Sequence, residues 1–391
     1  MSKAFDFARS IEGSGSFDGL ALPSSTSSTA GVAGEIRNNN GTIERWSATD
    51  FVPRWRPIDE DAQPNPLINY LVIGGGGGGG AAHQGGGGGA GGYRTSWGTG
   101  NVSGGLSPAE TALTISLNTA YTLTVGAGGS GGSAASPGAT VNTAGWGGRG
   151  GDSTFASITS FGGGGGGTYH GGVANAVPNN QGSVGSSGGA PNVGSAVAVP
   201  ANAATSTQGF RGGNRGAINH ANDFCGSGGG GAGGQGEDQL VLPQVPRDGG
   251  VGLESNITGT ATYRGGGGGG GRYYNSGTIA GLGANEIGLG GQGGGGNGGH
   301  EANGITPTAG TANTGGGGGG GGYTTNNHGA AGGSGIIILR GLSGLIATFS
   351  AGVTVNGTTT SSSQAVAGTT VGNDLVWVVT AASGDTVTFS T

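Results

Sequence analysis

The sequence predicts a mostly irregular and β chain, in which a sandwich of polyglycine II helices is closed by a small β plug, with short β modules at both ends. Three observations predict it. Glycine supplies 104 of 391 residues, and uninterrupted runs occupy 74–80, 85–89, 162–167, 228–231, 265–271, 293–296 and 315–322. Apolar clusters bracket these runs: Tyr70-Leu71-Val72-Ile73 before the first and Ile336-Ile337-Ile338-Leu339 after the last. Only 9% of residues are charged, with a single lysine, Lys3, so charge repulsion does not hold the chain open. Glycine loses the most backbone freedom on ordering, so such runs are either a loose linker or pack by a route that needs no side chains. A linker has no use for apolar plugs at its two ends.

Residues 1–66 form the first unit. Glu35-Ile36-Arg37 and Thr42-Ile43-Glu44-Arg45-Trp46 read as two short strands, and Asn38 to Gly41 as the turn between them. A third extended piece carries Phe51 and Trp55. Pro57, Pro64 and Pro66, with Asp59-Glu60-Asp61 between them, read as a linker.

Residues 67–340 form the second unit. Strands are expected at 69–73, along 111–125 with Tyr121-Thr122-Leu123-Thr124-Val125, and at 336–340. The three are expected to pair with one another in the plug. Joining 70–73 to 336–340 closes a loop of more than two hundred residues, which is feasible because loop entropy grows slowly with length. Between the plugs, glycine runs suit the extended three-fold helix, with roughly 3.1 Å rise per residue and no internal hydrogen bonds. Without Cβ atoms such helices approach closely, and each N–H bonds a neighbour's carbonyl, assisted by Cα–H···O contacts. The eight-residue run 315–322 would span about 25 Å at that rise.

Residues 341–391 form a third unit, a β module with Val353-Thr354-Val355, 375–379 and 386–389 as strands and Trp377 and Phe389 as core anchors. At this size it needs a surface to pack on, either the glycine unit or a second copy.

Several function classes are excluded. A P-loop needs a lysine closing its glycine loop, and Lys3 is far from every run. Net charge is −6 with scattered basic residues, so no nucleic-acid footprint appears. No stretch approaches the ~20 apolar residues of a membrane span, and the N-terminus lacks the apolar core of a secretory signal. One cysteine, Cys225, rules out an internal disulfide. The histidines 83, 170, 220, 300 and 328 read as solvated loop residues rather than metal ligands, and no cofactor is expected. Glu237, Asp238 and Asp248 read as loop carboxylates without partners, which argues against glycan hydrolysis.

Side chains concentrate between the runs. Arg94, Trp97, Tyr169, His170, Arg215, Phe224, Arg272, Tyr274, Asn275, Asn326, Asn327 and His328 offer aromatic area with adaptable hydrogen bonds, the chemistry of loop-built binding surfaces. Tyr93 and Tyr323, directly after their runs, read instead as caps.

Two stretches resemble known families. The hairpin GEIRNNNGTIERWSATDFVPRWRPI at 34–58 is similar to a small module of bacteriophage tail fibres, near the end held by the virion. That resemblance implies virion attachment through Ile36, Arg37, Trp46 and Trp55. Residues 67–340 resemble the glycine-rich tip adhesins of phage long tail fibres in phrases such as YLVIGGGGGGG, YTLTVGAGG, GGDSTF and GGGGGGRYY, and in their order. This implies a virion protein, made in the host cytoplasm, whose loops bind a host surface receptor, either an outer-membrane protein or a glycan, and whose other partners are phage tail proteins. It implies no enzyme, no cofactor and no nucleic acid. The alternatives are a head-fibre or decoration protein without a receptor, and a fibre-borne depolymerase. A fibre implies a homotrimer, whereas a glycine block that closes its own bonds needs only one copy; both stay open.

Overall fold

A computed structural model describes strands 36–39, 42–47 and 54–57 and then residues 65–81, 85–98, 102–133, 145–168, 207–214, 223–239, 247–274, 287–300, 304–322 and 328–391. The chain divides into two units, Met1–Asn65 and Pro66–Thr391. The described residues are essentially non-helical. They hold antiparallel sheets, no closed barrel, a 3-10 turn at Gly104–Leu106, and no helix long and apolar enough to cross a membrane.

In the first unit, Ile36–Asn39, Thr42–Ser47 and Arg54–Pro57 form a three-stranded meander. The register sets Ile36 opposite Arg45 and Arg45 opposite Arg56, while Trp46 faces Trp55.

In the second unit, Leu67–Ile73 pairs antiparallel with Ile336–Leu342, as the apolar plugs predict. Both strands are buried along most of their length, which explains why neither alternates in polarity. Asp374–Ala381 lies on the other side of Ile336–Leu342, so the C-terminal stretch completes the sheet that opens and closes the glycine region. Tyr93–Thr95, Thr354–Val355 and Thr358–Thr359 continue this eight-stranded sheet, with Leu113–Thr114 and Thr369–Val371 pairing off its main path.

The third expected plug strand goes elsewhere. Ala120–Thr124 pairs with Ser153–Phe155 and Ser383–Ser390 in a separate six-stranded sheet that also holds Ile158–Ser160, Ile346–Phe349 and Gln364–Val366. The reason lies in its pattern. Leu123 is buried while Thr122 is exposed, so the strand suits a sheet with one dry face; the isoleucine strand needs cover on both. Leu123, Phe155, Phe349, Val387 and Phe389 are fully buried, and Phe389 meets Trp377 of the other sheet edge-on, with ring centroids 6.0 Å apart.

The glycine tracts belong to neither helix nor strand, yet their backbone bonds follow a strict rule. In the tract 74–81, the N–H groups of Gly74, Gly77 and Gly80 donate to Gly92, Gly89 and Gly86. Those of Gly75, Gly78 and Ala81 donate to Gly151, Gly148 and Gly145, and those of Gly76 and Gly79 to Gly333 and Ala330. Every third residue returns to the same neighbour. The carbonyls repeat the pattern, accepting from 126–132, 162–168 and 315–322. The tract is thus enclosed by six others, and 265–271 and 315–322 are enclosed in the same way. No Cβ fits there: one built on Gly76 would lie 2.0 Å from the Gly316 carbonyl oxygen, and one on Gly77 2.1 Å from that of Gly164. Gly265 and Gly315 open two of these tracts with φ of +75° and +67°, a turn that L side chains resist.

Outer tracts carry side chains at every third position. Trp146, Arg149 and Asp152 lie along one, and Ala127, Ser130 and Ser133 along another. All-glycine sequence marks the interior, and a three-residue repeat of substituents marks the rim.

Candidate functional site

Hydrogen-bond register fixes the direction of every tract. The tract 74–81 leaves the eight-stranded sheet at Ile73 and ends at Ala81. The tracts 126–132, 162–168 and 315–322 run parallel to it, while 85–92, 145–151 and 328–335 run antiparallel. The same reasoning carries across the block, since Gly271 donates to Gly85, Gly226 to Gly271, Gly270 to Arg247, Arg272 to Gly299, and Gln239 to Asn214. One end of the block is therefore the sheet end. The other gathers Ala81, Gly85, Gly132, Gly145, Thr168, Asn214, Cys225, Gln239, Arg247, Arg272, Gly288, His300 and His328. Thr168 hydroxyl donates to the Ala81 carbonyl at 2.5 Å and locks two tract ends together.

Seven connecting segments, 82–84, 134–144, 215–222, 240–246, 275–286, 301–303 and 323–327, are flanked on both sides by residues of this far end. Thr168, at this end, precedes 169–206, and Gln208, beyond it, is at the sheet end, where its carbonyl accepts from the Tyr93 amide.

Most sequence-predicted binding residues adjoin the far end. Tyr169, His170, Arg215, Asn275, Asn326 and Asn327 lie outside the described residues, within segments that start from it. Phe224 and Tyr274 belong to the short paired strands Asp223–Cys225 and Arg272–Tyr274 at that end. Arg272 is buried there and its backbone bridges His300, whereas His328 is exposed.

Arg94 and Trp97 are at the sheet end, apart from the others, and both are engaged. Arg94 Nε and Nη2 donate to Glu110 at 2.8 and 2.6 Å, its Nη1 to the Thr159 carbonyl at 3.1 Å, and Tyr70 hydroxyl donates to the same carboxylate at 2.8 Å. Burial works against the Glu110 charge, but these bonds from Arg94 and Tyr70 outweigh it and hold the carboxyl below the ordinary range. Burial and the Glu110 contact push the Tyr70 hydroxyl upward. Trp97 Nε1 donates to Asn256 Oδ1 at 2.8 Å, and the Arg340 guanidinium sits 3.8 Å over its ring. Tyr93, expected to cap its run, is a core residue, with burial first among the causes that push its hydroxyl to about 12. In the N-terminal meander the register pairs Ile36 with Arg45, Arg37 with Glu44 and Trp46 with Trp55.

The loop carboxylates have partners, contrary to expectation. Arg211 grips Asp238 with two bonds, 2.7 and 3.0 Å, and the Asn214 amide adds a third at 2.6 Å. Burial opposes the Asp238 charge, and these bonds more than offset it. Asp248 accepts from the Leu289 amide at 2.7 Å, yet desolvation, with Glu237 nearby, raises its carboxyl. Arg211 and Asp238 are 27 residues apart, so no local pattern announces the pair. Gln239, whose Oε1 accepts from Arg247 Nε at 2.8 Å, and Trp146 also sit at the far end. Sequence reading missed both; the three-residue spacing of Trp146 with Arg149 and Asp152 was the available signal.

A family model described as a glycine-rich domain matches residues 62–342. No curated protein matches the chain.

Proposed function

This chain belongs to the glycine-rich domain family, and we propose that it is a phage tail-fibre tip adhesin that binds a host surface receptor without covalent chemistry. In this reading the glycine block is a stack of polyglycine II helices, the sheets close one end, and the connecting segments at the other end meet the receptor. The three-residue repeat of bonding partners supports the helix assignment, because polyproline-II-type helices have three residues per turn. The observation that carries the functional reading is that the described residues flanking seven connecting segments lie at one end of the block, opposite the sheets. A close-packed block with its connections on one face has the organisation of a binding platform, since loops tolerate change that the tracts do not. The N-terminal meander serves virion attachment in the same reading, and the protein acts on the assembled virion.

The test replaces far-end segments one at a time, 275–286 and 323–327 first, with Gly-Ser linkers of equal length. Adsorption to host cells and thermal melting are then measured. Loss of adsorption with an unchanged melting transition is expected for at least one segment. Full adsorption by every replacement would sink the adhesin reading in favour of a decoration role.

A further inference from the structure

Gln239 and Arg247 bracket the connecting segment 240–246, and one hydrogen bond joins them: Arg247 Nε donates to Gln239 Oε1 at 2.8 Å. The Gln239 backbone amide donates to the Asn214 carbonyl at 2.7 Å, so main chain and side chain are both held. Gln239 is fully buried, and its Nε2 has no acceptor among the described residues. A buried amide that gives up water and finds no acceptor is costly, and this nitrogen carries two N–H bonds. Arg247 is half-buried and makes no bond from Nη1 or Nη2 among the described residues. The Nε–Oε1 bond therefore keeps two unused donor groups together, one inside the end of the block and one partly open to solvent.

Their neighbours supply the complement. Asp248 accepts from the Leu289 amide through Oδ1 at 2.7 Å, and its Oδ2 makes no bond among the described residues. Glu237 Oε2 accepts from the Asp248 amide at 3.3 Å. Leu289 is 53% exposed, which adds an apolar surface next to Asp248. Asp238 is taken by Arg211 and the Asn214 amide. An anion drawn to Arg247 would also meet Glu237 and Asp248, which repel it. A hydroxyl group fits better, because it accepts from an amide or a guanidinium and donates to a carboxylate. A sugar ring adds an apolar C–H face, which suits an exposed leucine beside a few fixed polar groups.

We infer that Gln239 and Arg247, with Asp248 and Leu289 beside them, form a subsite for a neutral sugar. Gln239 Nε2 and the Arg247 Nη groups donate to hydroxyl oxygens of the ring, and Asp248 Oδ2 accepts from one of the hydroxyls. The inference rests on the adhesin reading in one respect: it makes that sugar part of the host receptor, which is then a glycan rather than an outer-membrane protein.

The full chain is titrated with the methyl glycosides of glucose, galactose, mannose and N-acetylglucosamine, and with glucuronate as the acidic probe. At least one neutral glycoside is expected to bind with a Kd of about 1–10 mM by calorimetry, and glucuronate at least tenfold more weakly. Gln239→Glu keeps the acceptor for Arg247 and removes the donor. It is expected to weaken sugar binding tenfold or more without lowering the melting temperature. Leu289→Ser, at an exposed side chain, is expected to weaken binding about threefold and to melt like the parent. Failure of all four glycosides to bind overturns the inference, as do undiminished binding by both variants or tighter binding of glucuronate. Adsorption to host cells is read separately. A chain that binds sugar while every segment replacement adsorbs fully upholds the subsite and sinks the adhesin reading. Adsorption lost on segment replacement, with no sugar bound by the parent, does the reverse.

Discussion

Ile73 and Ile336 are directly opposed on antiparallel strands, the last residue of one and the first of the other. Between them in sequence lies the entire glycine region. The block therefore begins and ends at one point of one sheet, and its stability depends on that seam.

Leu71 and Ile338 are the next opposed pair that is fully buried in the same cluster. Leu71→Ala or Ile338→Ala is expected to cost about 2–5 kcal/mol, the range for large-to-small changes in a packed core. Urea unfolding monitored by tryptophan fluorescence reads it. A cost near zero for both would mean that the tracts cohere without the seam.

This seam was legible because Tyr70–Ile73 and Ile336–Leu339 are uninterrupted apolar runs that bracket the glycine region. The destination of Ala120–Thr124 was not. Alternation announces a one-sided strand but does not say which sheet it joins, and its partner Ser383–Ser390 is distant in sequence. The far-end carboxylates were misread for a similar reason, since Asp238 and Arg211 meet only once the tracts are stacked. The rim of the block was readable in principle. Trp146, Arg149 and Asp152 recur every third residue, a period that matches neither helix nor strand.

Gly77→Ala tests the interior of the block. The added carbon would lie 2.1 Å from the Gly164 carbonyl oxygen and 2.5 Å from its carbon, and backbone enclosed by six neighbours has no direction in which to yield. The variant is expected to lose more than about 4 kcal/mol or fail to fold, which places it among the exceptional single substitutions. Ala331→Ser, at an exposed rim position, is expected to stay within about 0.5 kcal/mol of the parent. Calorimetric melting of both distinguishes a close-packed block from a loose one, for which the two would behave alike.

The carboxylates give stability opposite dependences on pH. Glu110 and Asp238 titrate below their unfolded values, so their contribution is complete above the ordinary carboxylate range and lost as pH falls through the folded values. Asp248 titrates above its unfolded value, so its contribution is complete in acid and lost as pH rises through the folded value. Glu110→Gln should therefore flatten the fall in stability on acidification. Asp248→Asn, which keeps an oxygen for the Leu289 amide, should raise stability at neutral pH and leave it unchanged in acid. Urea midpoints between pH 3 and pH 7 check both signs, and parallel curves for parent and variants would contradict them.

Arg264 is a buried charge with little compensation among the described residues. It is 9% exposed, its Nη1 has no hydrogen-bond partner among the described residues, and burial lowers its pKa, with only the Tyr93 hydroxyl opposing. It lies opposite Leu253 on the paired strands Leu253–Ser255 and Thr262–Arg264, beside the cluster that holds Tyr93 and Ala232. A buried guanidinium without a carboxylate is desolvated and gains little attraction in return. Arg264→Met keeps the aliphatic length, removes the charge, and is expected to stabilise the fold by about 1–3 kcal/mol. Arg264→Lys keeps the charge, gives up the planar donor fork, and is expected to bring no gain. A destabilised methionine variant beside a neutral lysine variant would show instead that the charge serves the fold at this position.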